Sequence, residues 1–299
     1  MVQAPVRAVT DRLDAVIVSQ AEPLESGGRK VQGWIATAFR SAGSFGQSTK
    51  NFLNGVWLGH PLHPALTDVP IGAWTGSLIF DLIGLDEPAD AALSLGVAAA
   101  VPTALAGAAD WVDAGDEPRR VGFAHALLNV GALLLFLLSM RSRAAGSRAL
   151  GVGFSVTGYV MAVLSAWLGG ELVYRQGTNI NRNAWREPLP DFQDAADANS
   201  LQEGRLTAGK ISVNGQDVPI VLLKRGSDIM ALSGVCSHWG GPLADGKLVN
   251  DDCVQCPWHA SQFSMRTGSV VQGPATAPAP VFEARIRDGR VEVRTRASV

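Results

Sequence analysis

Four long apolar runs follow one another in the middle of the chain, and each is close to the length needed to cross a bilayer. The runs cover residues 65–85, 91–109, 121–140 and 149–168. Only Asp68 and Asp81 interrupt the first run. A helix needs about 20 apolar residues to span the hydrocarbon core of a membrane. Because the runs lack the charged stripe of a helix on a soluble protein, they predict four transmembrane helices.

The residues before these runs form an N-terminal segment with amphipathic character. Apolar side chains at helical spacing predict one face made by Val31, Trp34, Ile35, Ala38 and Phe39. Such a face fits a membrane surface or another part of the same protein equally well. Two shorter helices are predicted over residues 11–20 and 50–58.

After the fourth run the chain turns polar, and short β-like stretches follow. These stretches lie at residues 210–213, 218–223, 228–231, 284–287 and 291–294. Asn214-Gly215 and Asp288-Gly289 are residue pairs that favour tight hairpin turns. The pattern predicts a small antiparallel β domain at the C-terminal end.

The predicted fold class is a multi-domain membrane protein, an all-α bundle of four transmembrane helices followed by an all-β domain. The boundaries are an N-terminal segment at 1–58, a transmembrane domain at 59–172, a linker at 173–188 and the β domain at 189–296.

Composition narrows the class of protein further. Hydrophobic residues make up 47% of the chain and charged ones 17%, which suits a protein partly embedded in lipid. The net charge of −2 gives no support for nucleic-acid binding. Three cysteines give no disulfide framework, so a reducing compartment is the simpler expectation.

Two short motifs carry the chemistry of the C-terminal domain. Cys236-Ser237-His238 is a C-x-H, and Cys256-Pro257-Trp258-His259 is a C-x-x-H. Two cysteines and two histidines suit an iron–sulfur cluster, and the same set also suits zinc. Zinc fingers keep like ligands paired, whereas this chain interleaves them.

These motifs resemble the Rieske-type [2Fe–2S] domain. The resemblance extends to Gly240-Gly241-Pro242-Leu243, to Ala260-Ser261-Gln262-Phe263, and to a proline loop at 273–278. It implies that Cys236 and Cys256 hold one iron. It also implies that His238 and His259 hold the other, in a domain from about Leu189 to Thr295.

The same resemblance bears on the reduction potential. Ser261 takes the place of a serine that hydrogen-bonds to the cluster in high-potential members, and Phe263 takes the place of a tyrosine. Because Phe263 has no hydroxyl, an intermediate potential is expected, above the ferredoxin type and below the cytochrome bc type. Cys253 is interpreted as a buried structural residue.

The other three histidines, His60, His63 and His125, belong to the membrane half. The sequence His60-Pro-Leu-His63-Pro resembles an uncharacterised bacterial family of four-helix membrane domains. With four spans, all three lie on the side of the chain termini. They could bind haem b, frame a quinone or pass protons, hold copper or zinc, or serve only as structural hydrogen-bonding groups.

Charge near the span ends predicts the orientation. Lys50, Arg119, Arg120, Arg175, Arg182 and Arg186 lie on the terminal side, against Arg141, Arg143 and Arg148 on the other. Positive charge favours the cytoplasmic side, and the N-terminus shows no export signal. We expect a multi-pass protein of the cell membrane, with its N-terminus and cluster domain in the cytoplasm.

The expected function is transfer of single electrons between a cytoplasmic donor or acceptor and a quinone or haem at the membrane. The alternative is a non-enzymatic iron–sulfur redox sensor that acts on a membrane partner. A Rieske oxygenase is disfavoured because it needs a mononuclear iron, and the soluble part has no spare histidine. The chain is expected to serve as an electron-transfer component rather than as a stand-alone enzyme.

Overall fold

The computed structural model describes residue 15, residue 17 and residues 19–296. Most of the short helix predicted over 11–20 therefore lies outside the described residues. The helices are α1 Ala21–Ser41, α2 Gly43–Asn54, α3 Leu62–Leu82, α4 Asp86–Trp111, α5 Asp116–Ala144 and α6 Arg148–Gly170. One π-helical turn, Glu171–Arg175, continues α6.

The chain divides into two compact units. The first contains the residues up to Gln47 together with Leu62–Thr178, and the second contains Ser48–Pro61 together with the residues from Asn179 onward. The second unit is therefore discontinuous, because the membrane helices interrupt its sequence.

Helices α3 to α6 form an antiparallel bundle in the first unit. Three short connections join them in sequence order, which makes each helix antiparallel to the next. α3 packs along α4 and α5 along α6, while contacts of α4 with α5 and of α3 with α6 close the ring. The four helices lie at the four apolar runs of the sequence, and their prediction as a bundle of four transmembrane helices stays a prediction.

The bundle buries hydroxyl-bearing side chains beside an apolar cluster that includes Trp74, Leu93 and Phe136, and it also turns many large apolar side chains outward. Its buried hydroxyl-bearing residues are Ser77, Thr103, Ser139, Ser155 and Ser165. Its exposed apolar residues include Val69, Ile79, Leu105, Leu134 and Val160. A soluble bundle has the opposite distribution, whereas helices that pack in lipid use small residues and interhelical hydrogen bonds.

Three of the four bundle helices are long and apolar enough to span a membrane, at Asp86–Trp111, Asp116–Ala144 and Arg148–Arg175. α3 falls outside this set because Asp68, Asp81 and His63, together with its prolines, reduce its apolar character. These three helices are candidate spans by length and composition, and the count of four spans stays a prediction.

A buried ion-pair cluster joins the α3–α4 and α5–α6 ends of the bundle. The Arg143 guanidinium donates to Asp81 at 2.5 Å and to Asp90 at 2.7 Å, and Arg148 reaches Asp81 at 2.7 Å. The side chains of Arg143 and Asp81 are only 3% and 4% exposed. Arg143 and Arg148 therefore form ion pairs with acidic residues of the bundle. In the orientation predicted from the sequence, both count as positive charges at the ends of spans.

Helix α1 packs on the same unit through a face centred on Gly28 and Gln32. The Gln32 amide donates to the carbonyls of Trp111 at 2.8 Å and Ala114 at 2.9 Å, and its oxygen accepts from Arg119 at 2.7 Å. Trp34, which the periodicity placed on the apolar face, is 71% exposed. The contact face thus differs from the predicted one, because a glycine and a glutamine mediate the contact.

The second unit consists of two antiparallel sheets. A six-stranded sheet has the order β1-β10-β9-β4-β3-β2, and a four-stranded sheet has the order β5-β6-β7-β8. The larger sheet contains β1 Gln193–Asp197, β2 Leu206–Val213, β3 Gln216–Arg225, β4 Asp228–Ser233, β9 Val281–Arg287 and β10 Arg290–Thr295. The smaller contains β5 Lys247–Val249, β6 Cys253–Gln255, β7 Gln262–Ser264 and β8 Val270–Gln272.

Both predicted hairpin turns are confirmed. Asn214-Gly215 joins β2 to β3 and Asp288-Gly289 joins β9 to β10, and all four residues have positive φ. Asparagine, aspartate and glycine tolerate this conformation, which matches the twist of the flanking strands. A buried core that includes Leu232, Val254 and Phe263 lies beside the two loops that carry the cysteines and histidines.

Candidate functional site

The two cysteine–histidine loops have the same backbone design. The Cys236 amide donates to Gly241 O at 2.9 Å, and the Cys256 amide donates to Ser261 O at 2.8 Å. The carbonyl of each cysteine accepts from the residue four positions later, Gly240 or Ala260, and both of these residues have positive φ. Each loop therefore turns tightly around its cysteine.

The predicted proline loop is tied to both of these loops. Ser237 Oγ of the first loop donates to Ala277 O at 2.6 Å, and Ser261 Oγ of the second accepts from the Ala275 amide at 2.9 Å. Both serines are buried. The three loops are therefore hydrogen-bonded together at one end of the β unit.

This design brings the four candidate ligand side chains together. The thiols of Cys236 and Cys256 are within hydrogen-bonding distance, and the rings of His238 and His259 have centroids 5.1 Å apart. A Cβ on Gly241 would lie 2.8 Å from Cys256 Sγ, so glycine leaves the room that the sulfur occupies. In the described part of the chain no three His, Cys, Asp or Glu side chains converge on one point as ligands of a single ion.

A hydrogen bond joins the two thiols. Their mutual hydrogen bond raises the pKa of Cys236 and lowers the pKa of Cys256 to about 6. Backbone amides also donate to both sulfurs, from His238 and Trp239 to Cys236 and from Trp258 and His259 to Cys256. Amide donors of this kind stabilise thiolates, which are the form that binds metal.

His238 is buried with both ring nitrogens unsatisfied. It is 5% exposed, and neither Nδ1 nor Nε2 has a hydrogen-bond partner among the described residues. Burial lowers the pKa of His238 to about 3, so its ring is neutral at physiological pH. A buried polar atom without a partner costs about 1–3 kcal/mol, and a bound metal would remove that cost.

Ser261 and Cys253 lie close to the second loop. The Ser261 hydroxyl accepts from Ala275, which leaves its proton free to donate. Cys253 lies in β6 opposite Ser264, and it is half-buried rather than buried as the sequence predicts. Burial and the charge of Asp252 raise the pKa of Cys253, so its thiol stays protonated and unreactive at neutral pH.

The three remaining histidines do not form one group. His63 and His125 meet in the bundle with ring centroids 6.3 Å apart, whereas His60 is exposed and belongs to the second unit. His63 Nδ1 bonds to Thr103 O at 2.9 Å. His125 Nδ1 bonds to Ser165 O at 2.7 Å, and Asn129 donates to its Nε2 at 3.0 Å. Asn129 and Ser165 are partners that sequence reasoning missed, because no motif marks them.

Glycines on the neighbouring helices make room for both rings. A Cβ on Gly107 of α4 would lie 2.9 Å from His63, and one on Gly169 of α6 would lie 3.4 Å from His125. The ring of each histidine thus lies against a glycine of the next helix, in the interior of the bundle.

Two protein families match this chain. The Rieske [2Fe-2S] domain matches residues 191–283, and a family described as "Predicted membrane protein (DUF2231)" matches residues 59–182. The anthranilate 1,2-dioxygenase ferredoxin subunit of Burkholderia cepacia is 40% identical over 75 residues, 25% of this chain and 68% of that protein.

Other relatives carry similar descriptions. Ferredoxin CarAc of Metapseudomonas resinovorans is 32% identical over 75 residues, which cover 25% of this chain and 69% of that protein. A solved structure described as the complex of reduced oxygenase and oxidized ferredoxin in carbazole 1,9a-dioxygenase is 26% identical, with a TM-score of 0.32, over 36% of this chain and 97% of that one.

Proposed function

Because the chain belongs to the Rieske [2Fe-2S] family through its C-terminal domain, which follows a membrane domain of the DUF2231 family, we propose that it carries electrons at a membrane. Cys236 and Cys256 would hold one iron of a [2Fe–2S] cluster. His238 and His259 would hold the other iron. Such a cluster supplies reversible one-electron chemistry.

The observation that carries this proposal is the unsatisfied imidazole of His238, buried beside His259 and the paired thiols. Four donors in two like loops supply two ligands to each of two irons. A single zinc ion would instead need all four donors to converge on one point. The amides that donate to the sulfurs, and the proline loop that is hydrogen-bonded to both ligand loops, would hold the ligands and set their electrostatic surroundings.

The curated relatives are named as ferredoxin subunits, so the proposed role is exchange of single electrons with a redox partner. We place that partner in the cytoplasm and propose a quinone as the second partner, at His63 and His125 in the bundle. Haem ligation is less well supported, since both ring nitrogens of His125 already bond to Ser165 and Asn129. His60, exposed in the second unit, has no assigned role in this proposal.

We propose that the membrane domain crosses the cell membrane four times. We also propose that the cluster domain lies on the cytoplasmic side. Two observations support counting α3 as a span. Its exposed side chains include Val69, Ile71 and Ile79, as on the outer faces of the other three helices. Its polar Asp81 is buried against Arg143 rather than turned outward.

The experiment is spectroscopy of the detergent-purified full chain, with iron and acid-labile sulfide measured beside it. We expect two irons and two sulfides per chain, and a rhombic electron paramagnetic resonance (EPR) signal on reduction. Cys256→Ser and His259→Ala should each abolish the signal, whereas Cys253→Ser should keep it. Stoichiometric zinc without sulfide would refute the proposal.

The quinone role has its own test. His63→Ala and His125→Ala should slow reoxidation of the reduced protein by a soluble quinone at least tenfold and leave the EPR signal unchanged. His60→Ala is the matched control and should reoxidise at the wild-type rate. Equal rates in all three variants would exclude these histidines from the electron path.

A further inference from the structure

Two segments outside the matched Rieske span form a cap on the loop end of the β unit. The cap consists of residues 48–61 and 179–186, whereas the family match covers 191–283. Asn51 Oδ1 accepts from the Gly273 amide at 3.1 Å, and the Arg182 amide donates to Ser237 O at 3.0 Å. The cap therefore contacts both the proline loop and the first ligand loop.

The cap packs closely on the proline loop. A Cβ on Gly273 would lie 3.0 Å from a methyl group of Val56, so a side chain at this position would crowd the cap. Asn183, which is buried, donates to Val235 O at 3.0 Å and accepts from Ser233 Oγ at 2.9 Å. The cap is thus anchored to the β unit by buried hydrogen bonds.

The cap brings two cations to the ligand-loop end of the β unit. The guanidinium carbon of Arg182 lies 5.5 Å from the centroid of the Trp239 ring, next to His238 in sequence. Lys50 immediately precedes Asn51, whose side chain accepts from the Gly273 amide. Arg182 therefore lies beside the first ligand loop, and Lys50 is one residue from a contact with the proline loop.

We propose that Lys50 and Arg182 raise the reduction potential of the cluster by placing positive charge beside its histidine-ligated iron. The inference rests on the cluster assigned under the proposed function. One-electron reduction adds a single negative charge and forms or breaks no bond. A nearby positive charge stabilises the reduced state, and partial burial limits its screening by solvent and salt.

The test is a potentiometric titration of the full-length protein, followed by EPR. Arg182→Gln and Lys50→Gln each remove one charge at similar side-chain length. Each should lower the equilibrium constant for reduction about threefold, which is about 28 mV at 59 mV per tenfold. Arg182→Lys keeps the charge and should keep the wild-type potential. The controls Arg205→Gln and Lys210→Gln remove exposed charges elsewhere on the β unit and should have no effect.

The results distinguish failure of the cluster assignment from failure of the role of Lys50 and Arg182. Absence of a Rieske-type EPR signal in the wild-type protein would refute the proposed function itself. If the signal is present and both glutamine variants match the controls, only the role of the cap cations fails. An equal shift in Arg182→Lys and Arg182→Gln would also overturn it, because packing rather than charge would then set the potential. Higher ionic strength should narrow the gap between the wild type and Arg182→Gln.

Discussion

Ser261 links the second ligand loop to the proline loop, and its hydroxyl proton is available to donate a further hydrogen bond. Since its oxygen already accepts from Ala275, the proton can donate to the cluster, and such donation favours the reduced state. We predict that Ser261→Ala lowers the reduction potential and keeps the EPR signal. Ser264→Ala is the control. Ser264 lies in β7, three residues beyond Ser261, and faces Cys253 rather than the proline loop.

The intermediate potential expected from Phe263 also stays a prediction. Phe263 is fully buried and has no hydroxyl to offer a sulfur. A redox titration of the wild-type protein should place its potential above the ferredoxin type and below the cytochrome bc type. A value at the cytochrome bc level would refute this prediction.

Asp252 makes the β unit sensitive to acid. Burial pushes the pKa of Asp252 up, but hydrogen bonds and ion pairs with Arg225 and Arg266 bring it below its ordinary value. A carboxylate with a depressed pKa stabilises the fold above its unfolded pKa of about 3.9, and this contribution is lost as the pH falls through the folded pKa.

Asp252→Asn should therefore lower stability at pH 7 by roughly 0.5–1 kcal/mol, the upper range for exposed ion pairs. Thermal unfolding followed by loss of visible absorption should show the gap from wild type closing below about pH 4. A gap that persists in acid would mean that packing, rather than charge, stabilises this site.

At the scale of helices and strands, local conformational demands were predictable and long-range pairing was not. Asn214-Gly215 and Asp288-Gly289 identify hairpins because few other residues tolerate positive φ there. Strands β5 to β8 have only three residues each, too few for an alternation to appear in the sequence. Lys50 lies about 190 residues from His238, and no local pattern could connect them.

Charged residues near helix ends were misinterpreted for the same reason. Arg143 and Arg148 look like loop cations until α3 and α4 bring Asp81 and Asp90 beside them. By contrast, the four ligand candidates come in two short motifs, and each motif folds as one loop. Site residues that are close in sequence could be predicted, whereas those supplied by distant elements could not.

The ion-pair cluster leads to a prediction for the bundle. Arg143→Met leaves Asp81 buried with Arg148 as its remaining ion-pair partner among the described residues, and breaking a buried pair costs about 3–5 kcal/mol. The variant should unfold at a lower temperature in detergent, whereas Arg141→Met, on the exposed side of the same helix, should match wild type. Adding Asp81→Leu to Arg143→Met should recover part of the loss.

For the whole molecule, the number of spans decides which ends share a side of the membrane. Four crossings place Arg29 and Arg287 on one side and Ala145, in the α5–α6 connection, on the other. One cysteine added at each of these positions, in a Cys253→Ser background that keeps the ligands Cys236 and Cys256, can be probed in intact cells with a membrane-impermeant maleimide, with the Cys253→Ser protein as the blank.

We expect labelling of Ala145→Cys in intact cells, and of Arg29→Cys and Arg287→Cys only after the membrane is opened. Different labelling of Arg29→Cys and Arg287→Cys would show an odd number of spans, with α3 outside the membrane. This would leave the assignment of the cluster ligands unaffected.

The discontinuity of the second unit imposes an order on biogenesis. Residues 48–61 leave the ribosome before any bundle helix, whereas the ligand loops follow more than 170 residues later. Residues 48–61 must therefore remain without their contacts to the β unit while the bundle helices are synthesised. This segment contacts Gly273, so the cap can close over the ligand loops only after that residue has been synthesised. Until then the open ligand loops would have a period in which to receive iron.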